Sequence, residues 1–108
     1  MDDAIGQELV LANDHVRVWL DVVPPGDEQP LHTHRAPYVS VMLSDARAQV
    51  LDAEGTVLYD VERLAGAATW FGPERVPVRH TLRNVGAAEI RVAIVELMAD
   101  ATTLPVEG

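Results

Sequence analysis

Alternation with a period of two runs through most of the apolar stretches of this chain, and it limits the fold to sheets. From His15 to Val23, Val16, Val18, Leu20 and Val22 fall on one side and His15, Arg17, Trp19 and Asp21 on the other. That is the pattern of a strand, whose successive side chains point to opposite faces. Tyr38 to Ser44 repeats it, with Val39, Val41 and Leu43 set against Tyr38, Ser40 and Met42. Pro77 to Asn84 does so again: Val78, His80, Leu82 and Asn84 share one face, which turns His80 inward, while Arg79, Thr81 and Arg83 share the other. Ala46 to Asp52 and Thr56 to Glu62, joined by Ala53-Glu54-Gly55, predict an antiparallel hairpin. Residues 4 to 12 predict a short edge strand before the Asn13-Asp14 turn. Ala67 to Phe71 is a further apolar run, and Ile90 to Met98 is a last strand before a polar tail containing Pro105 and Gly108. No segment carries sustained helical periodicity. Short strands at this spacing predict an all-β sandwich or barrel, and a small barrel has an interior that holds one small ligand.

The 108 residues suit one domain, spanning 1–108. With 48% hydrophobic residues and only five aromatics, the core must come from Val, Leu, Ala and Ile. There is no cysteine, which excludes disulfides, thiol nucleophiles and thiolate metal sites, so any metal site must be built from histidines and carboxylates. The acidic start Met1-Asp2-Asp3-Ala4 and the lack of an apolar run of about 20 residues predict a soluble, cytoplasmic protein without a membrane span. Seventeen acidic residues against eight arginines give a formal charge of −9, which repels nucleic acid and anionic membranes.

The chemistry-bearing stretch is Gly26-Asp27-Glu28-Gln29-Pro30-Leu31-His32-Thr33-His34. Two residues apart on a strand, His32 and His34 aim both imidazoles at one point, and imidazole is the commonest metal ligand among side chains. Such a pair by itself is more often two surface histidines beside a turn. An inward His80 gives it a third member.

These residues resemble the two motifs of the cupin superfamily, small jelly-roll β-barrels. The first motif sets a glycine, five residues, His-x-His, then a glutamate and a closing glycine. Gly26, His32 and His34 match it, while Tyr38 stands at the glutamate position and Asp45 at the closing glycine. Gly66, Pro73, His80 and Asn84 resemble the second motif, with a somewhat longer run from Gly66 to His80. The likeness covers roughly residues 13 to 98 and is similar to short single-domain cupins, including one associated with β-alanine breakdown.

The resemblance implies a divalent transition metal (Fe, Ni, Zn, Co or Cu) held by His32, His34 and His80. Without the glutamate, three neutral imidazoles leave the ion's charge uncompensated, so the ligand or substrate is expected to be a small anion. Met42 and Leu82 are expected to form an apolar wall that excludes water. Three-histidine iron sites in cupins imply a dioxygenase acting on a small organic acid or thiol. The alternatives are a non-catalytic ligand-binding or sensor protein, and a metal-free isomerase or epimerase with His80 or Tyr38 as acid and base. Dimeric cupins, together with the row Val39, Val41 and Leu43 and the N-terminal edge strand, imply a homodimer. Tyr38 reads as a pocket wall or hydrogen-bonding phenol. His15 reads as solvent-facing, Arg79 and Arg83 as facing solvent or a partner sheet, and Trp19, Trp70 and Phe71 as core or subunit contact. Arg35 and Arg75 are candidates for a substrate carboxylate, and Asp27, Glu28 and Glu74 are candidate acids or bases near the mouth, although ordinary surface roles explain both sets.

Overall fold

The structure, a computed structural model, describes residues 4–98. The predicted tail lies outside them. Among the described residues nine strands form two antiparallel sheets: β1 (Glu8–Ala12), β2 (Val16–Val23), β3 (His32–His34), β4 (Tyr38–Met42), β5 (Ala46–Leu51), β6 (Val57–Arg63), β7 (Ala68–Phe71), β8 (Val78–Asn84) and β9 (Ile90–Leu97). Their order is β1-β2-β9-β4-β7 in the first sheet and β3-β8-β5-β6 in the second. From β2 onward the chain crosses repeatedly between the sheets, so strands distant in sequence become neighbours. The predicted hairpin is present as β5 and β6, paired from Ala46 with Arg63 to Leu51 with Val57.

Between the sheets lie Ile5, Trp19, Val23, Tyr38, Met42, Ala46, Ala48, Ile90, Val92 and Ile94. On β2 the period of two holds, but the core takes Trp19, Asp21 and Val23, while the more apolar row is only half-buried. The reason is the company available inside. Glu96 is buried opposite Trp19 and Arg17, accepting from the Trp19 indole at 3.2 Å and from Arg17 Nε at 2.7 Å. Asp21 accepts from Gln29. Paired in this way, Glu96 and one oxygen of Asp21 keep hydrogen bonds on an inner face, while the other Asp21 oxygen goes without.

One position departs from expectation. Thr81, placed with the solvent-facing arginines, is buried, because the segment before β3 folds over it and its hydroxyl donates to the Gln29 carbonyl. Of the aromatics read as core or subunit contact, Trp19 is buried in the core and Trp70 is 52% exposed. His15 is exposed as expected.

The segment from Pro24 to Leu31 carries β2 across to β3, and Asn84 anchors it. The Gly26 N–H donates to the Asn84 carbonyl at 3.0 Å and the Asn84 N–H to the Asp27 carbonyl at 2.9 Å. The Asn84 amide adds bonds to the Val23 and Ala88 carbonyls at 2.9 and 2.8 Å. Gly26 sits at φ +83°, a conformation that side-chain-bearing residues rarely adopt. Motif glycine and motif asparagine thus work together to deliver the strand that carries the histidines.

Candidate metal centre

Pairing of β3 with β8 sets His32 directly opposite His80. His34, two residues along the same strand, shares their face. The three rings meet edge to face with centroids 4.8 to 4.9 Å apart. One donor atom from each lies within 4.8 Å of the others. Around an ion at about 2.1 Å, tetrahedral donors stand roughly 3.4 Å apart, so a small inward turn of each ring closes the group on a metal.

The protonation state suits this. Burial holds all three imidazoles below their ordinary range: His34 is pushed down to about 2, with repulsion from His32 and His80 adding to burial, His80 to about 4, with repulsion from His32, and His32 is lowered as well, with Arg79 nearby. They are therefore neutral lone-pair donors at physiological pH. His32 Nδ1 lies 2.9 Å from the Pro30 carbonyl, which takes the ring proton and leaves Nε2 as the free lone pair. His34 is 1% exposed and its Nδ1 has no protein partner. An unpaired buried ring nitrogen costs about 1–3 kcal/mol. A cation at the centre of the group would be a partner that the protein does not itself supply, so the residues fit a metal.

Tyr38, at the position of the motif glutamate, stacks on His34 with centroids 3.8 Å apart and on Phe71 at 4.5 Å. Burial raises its phenol above the usual range, helped by the nearby Tyr59, so it stays protonated and can donate a hydrogen bond. The histidines and Tyr38 line one end of a cavity of about 100 Å³ whose walls include Met42, Leu82, Val92 and Ile94. Met42 and Leu82 thus form part of the apolar wall, as expected.

The candidate charged groups of the loops are elsewhere. Arg35 and Arg75 are not in the cavity lining, and Arg75 instead lies over the Phe71 ring at 4.9 Å. Asp27, Glu28 and Glu74 are also outside it, and Glu28 pairs with Arg83 at 2.9 Å. Among the described residues no carboxylate lines this cavity, and Arg63 is its one charged side chain. Ser40, on the face that the sequence pattern assigns to Tyr38 and Met42, lines the cavity with them, whereas the pattern alone did not single out Arg63, Gln29, Tyr59 and Thr69. The signal for two of them, Tyr59 and Arg63, was available, because with Val61 they form one row of a period-two strand that faces the cavity.

No family model and no curated protein sequence matches this chain. Solved structures do. A cupin domain from Bordetella pertussis Tohama I superposes with a TM-score of 0.73 at 23% identity, covering 85% of this chain and 91% of that one. An RmlC-like cupin family protein from Methanocaldococcus jannaschii reaches 0.66 at 12% identity, covering 89% and 82%. A conserved protein with a double-stranded β-helix domain from Klebsiella pneumoniae reaches 0.63 at 21% identity, covering 86% and 76%. Likeness at these identities is a likeness of fold, and two antiparallel sheets wound as a double-stranded β-helix make this chain an all-β protein of the cupin fold.

Proposed function

We propose that the protein is a metal-dependent oxygenase acting on a small organic acid or thiol, with His32, His34 and His80 as the metal ligands. The observation that carries this reading is the convergence of three neutral, largely buried imidazoles at one end of a cavity that no carboxylate lines. A divalent ion bound there supplies Lewis acidity and, if it is iron, redox chemistry with O₂. The chain's own part is to hold three ligands while leaving coordination positions open, and to exclude water with Met42, Leu82 and Ile94. It also keeps carboxylates away from the ion, so that charge balance falls to an anionic substrate. Tyr38, held neutral, offers a hydrogen-bond donor beside the ligands. A metal-free isomerase would need an acid or base poised near neutrality, and burial moves both His80 and Tyr38 away from it.

Metal uptake followed by turnover tests the proposal. Protein stripped of metal and incubated with Fe(II), Co(II), Ni(II) or Zn(II) should take up close to one ion per chain, and His80→Ala should take up none. Oxygen consumption by the Fe(II) form over a panel of short carboxylic acids and thiols should then identify a substrate. Absence of uptake from every metal sinks the metal reading. Uptake and acid binding without turnover on any of them sinks the enzyme reading and leaves a ligand-binding or sensor protein.

A further inference from the structure

One step below the histidines, the register of the two sheets builds a ring of side chains that is half apolar and half hydroxyl. In the first sheet Ser40 is paired with Ile94 on one side and with Thr69 on the other. In the second, Val50 is paired with Leu82 and with Tyr59. All six line the cavity that begins at His32, His34 and His80. Ile94, Leu82 and Val50 form its dry side. Ser40, Thr69 and Tyr59 bring three hydroxyls to the other side, toward β6 and β7, which are edge strands of the two sheets. Ser40 and Thr69 are half-buried and Tyr59, at the cavity mouth, is 40% exposed, and their hydroxyls are left for a ligand, whereas the Thr81 hydroxyl and the Gln29 amide of the same cavity are engaged within the protein. Ser40 lies two residues along β4 from Tyr38, about 7 Å by strand rise. A molecule of a few carbons held at the histidine end therefore extends into this ring.

We infer that Ser40, Thr69 and Tyr59 select the ligand, and that its class is a short-chain carboxylate carrying a second oxygen function two or three carbons from the carboxylate. The inference rests on the metal reading above, which supplies the anchor for the carboxylate. The alkyl segment lies against Ile94, Leu82 and Val50, and the distal oxygen exchanges hydrogen bonds with the three hydroxyls, which can donate or accept. Cavity size sets the limit. At about 100 Å³ it is smaller than a cavity of about 150 Å³ that accepts benzene, so a chain of roughly four or five carbons is the upper bound.

The test uses the Co(II)-loaded full-length protein, whose visible absorbance reports anion entry. It compares 3-hydroxypropionate with butyrate and 4-hydroxybutyrate with pentanoate, pairs in which hydroxyl and methyl exchange at nearly constant size. At least one hydroxy acid should bind about tenfold more tightly than its methyl partner, the effect of one net hydrogen bond. In the Ser40→Ala, Thr69→Val protein that advantage should fall to within about twofold, and Tyr59→Phe provides a second, milder variant should the first not fold. Equal binding within both pairs overturns the inference, as does an advantage that survives in the double variant, or in Tyr59→Phe if the double variant does not fold. Acetate, too short to reach the hydroxyls, separates the two levels. Its spectral change in wild-type protein keeps the metal reading even when selectivity fails, and lack of Co(II) uptake removes both.

Discussion

Tyr38 occupies the position where the cupin motif carries a glutamate, and its ring fills that space by stacking between His34 and Phe71. Tyr38→Glu exchanges this packing for a carboxylate beside the three imidazoles. Without metal the charge is buried and unpaired, and the variant should be several kcal/mol less stable than wild type. With metal it should gain a fourth donor, so that metal retention rises while acetate affinity falls. A lower melting temperature with no gain in retention would show that position 38 only packs. Asp21 gives a prediction with a pH signature. It is 2% exposed, one of its oxygens has no partner, and burial raises its carboxyl above the usual range, partly offset by the Gln29 amide. Its folded-state value lies above the unfolded one, so the folded protein holds a proton that the unfolded chain releases. Stability from this group is full at low pH and is lost as pH rises through the folded value. Asp21→Asn should therefore be more stable than wild type by about 1 kcal/mol at neutral pH, with the difference shrinking toward pH 4. Urea denaturation of both proteins at the two ends of that window measures it, and a constant difference would contradict the assignment.

The N-terminal segment shows how much one element depends on a missing side chain. Ile5 is fully buried, and β1 pairs with β2 from Glu8 opposite Leu20 to Ala12 opposite Arg17. Gly6 lies so close to the inner face of β2 that an added Cβ would stand 2.8 Å from the Trp19 Cβ. Trp19 cannot move aside, because its ring is buried and its indole is bonded to Glu96. Gly6→Ala should cost about 1–3 kcal/mol by forcing β1 outward. Hydrogen exchange of the β1 amides should accelerate while those of β4 and β9 hold. Equal protection throughout would mean that the segment accommodates the methyl group.

At the scale of the whole molecule, the outer face of the first sheet carries one row that is apolar across its full width and a second that is apolar from β2 to β7, with Glu8 at its β1 end. The register lines up Leu11, Val18, Val95, Val39 and Trp70 in one row, and Leu20, Ala93, Val41 and Ala68 in the next. Leu11 and Trp70 are about half exposed, and Leu43 extends the patch at 53%. A continuous apolar face of this width marks an interaction surface, and a second copy of the chain offers the same face in return. The expected assembly is a homodimer. Sedimentation should give close to twice the chain mass of 11.8 kDa, and Val39→Arg should return it to a monomer with its strand content intact. A wild-type mass of one chain at micromolar concentration would refute this.

Local pattern alone determined most of the strands and the hairpin, because period two and turn residues are properties of neighbours in sequence. It also determined that His32 and His34 act as a pair, since the strand repeat forces them onto one face. That His80 joins them was legible through its apolar row and the motif resemblance. Which row of each strand faces inward was decided only by the tertiary structure. The outer row of β2 is the more apolar one, and Trp19, Asp21 and Arg17 are drawn inside or toward the interior by partners on β9 and on the segment before β3. The Gln29 carbonyl draws Thr81 in likewise, and Tyr59, Val61 and Arg63 face the cavity only because β6 pairs with β5 at the sheet edge. Burial is a property of the whole assembly of sheets, and hydrogen-bond partners 77 residues apart exist only after the chain has closed on itself.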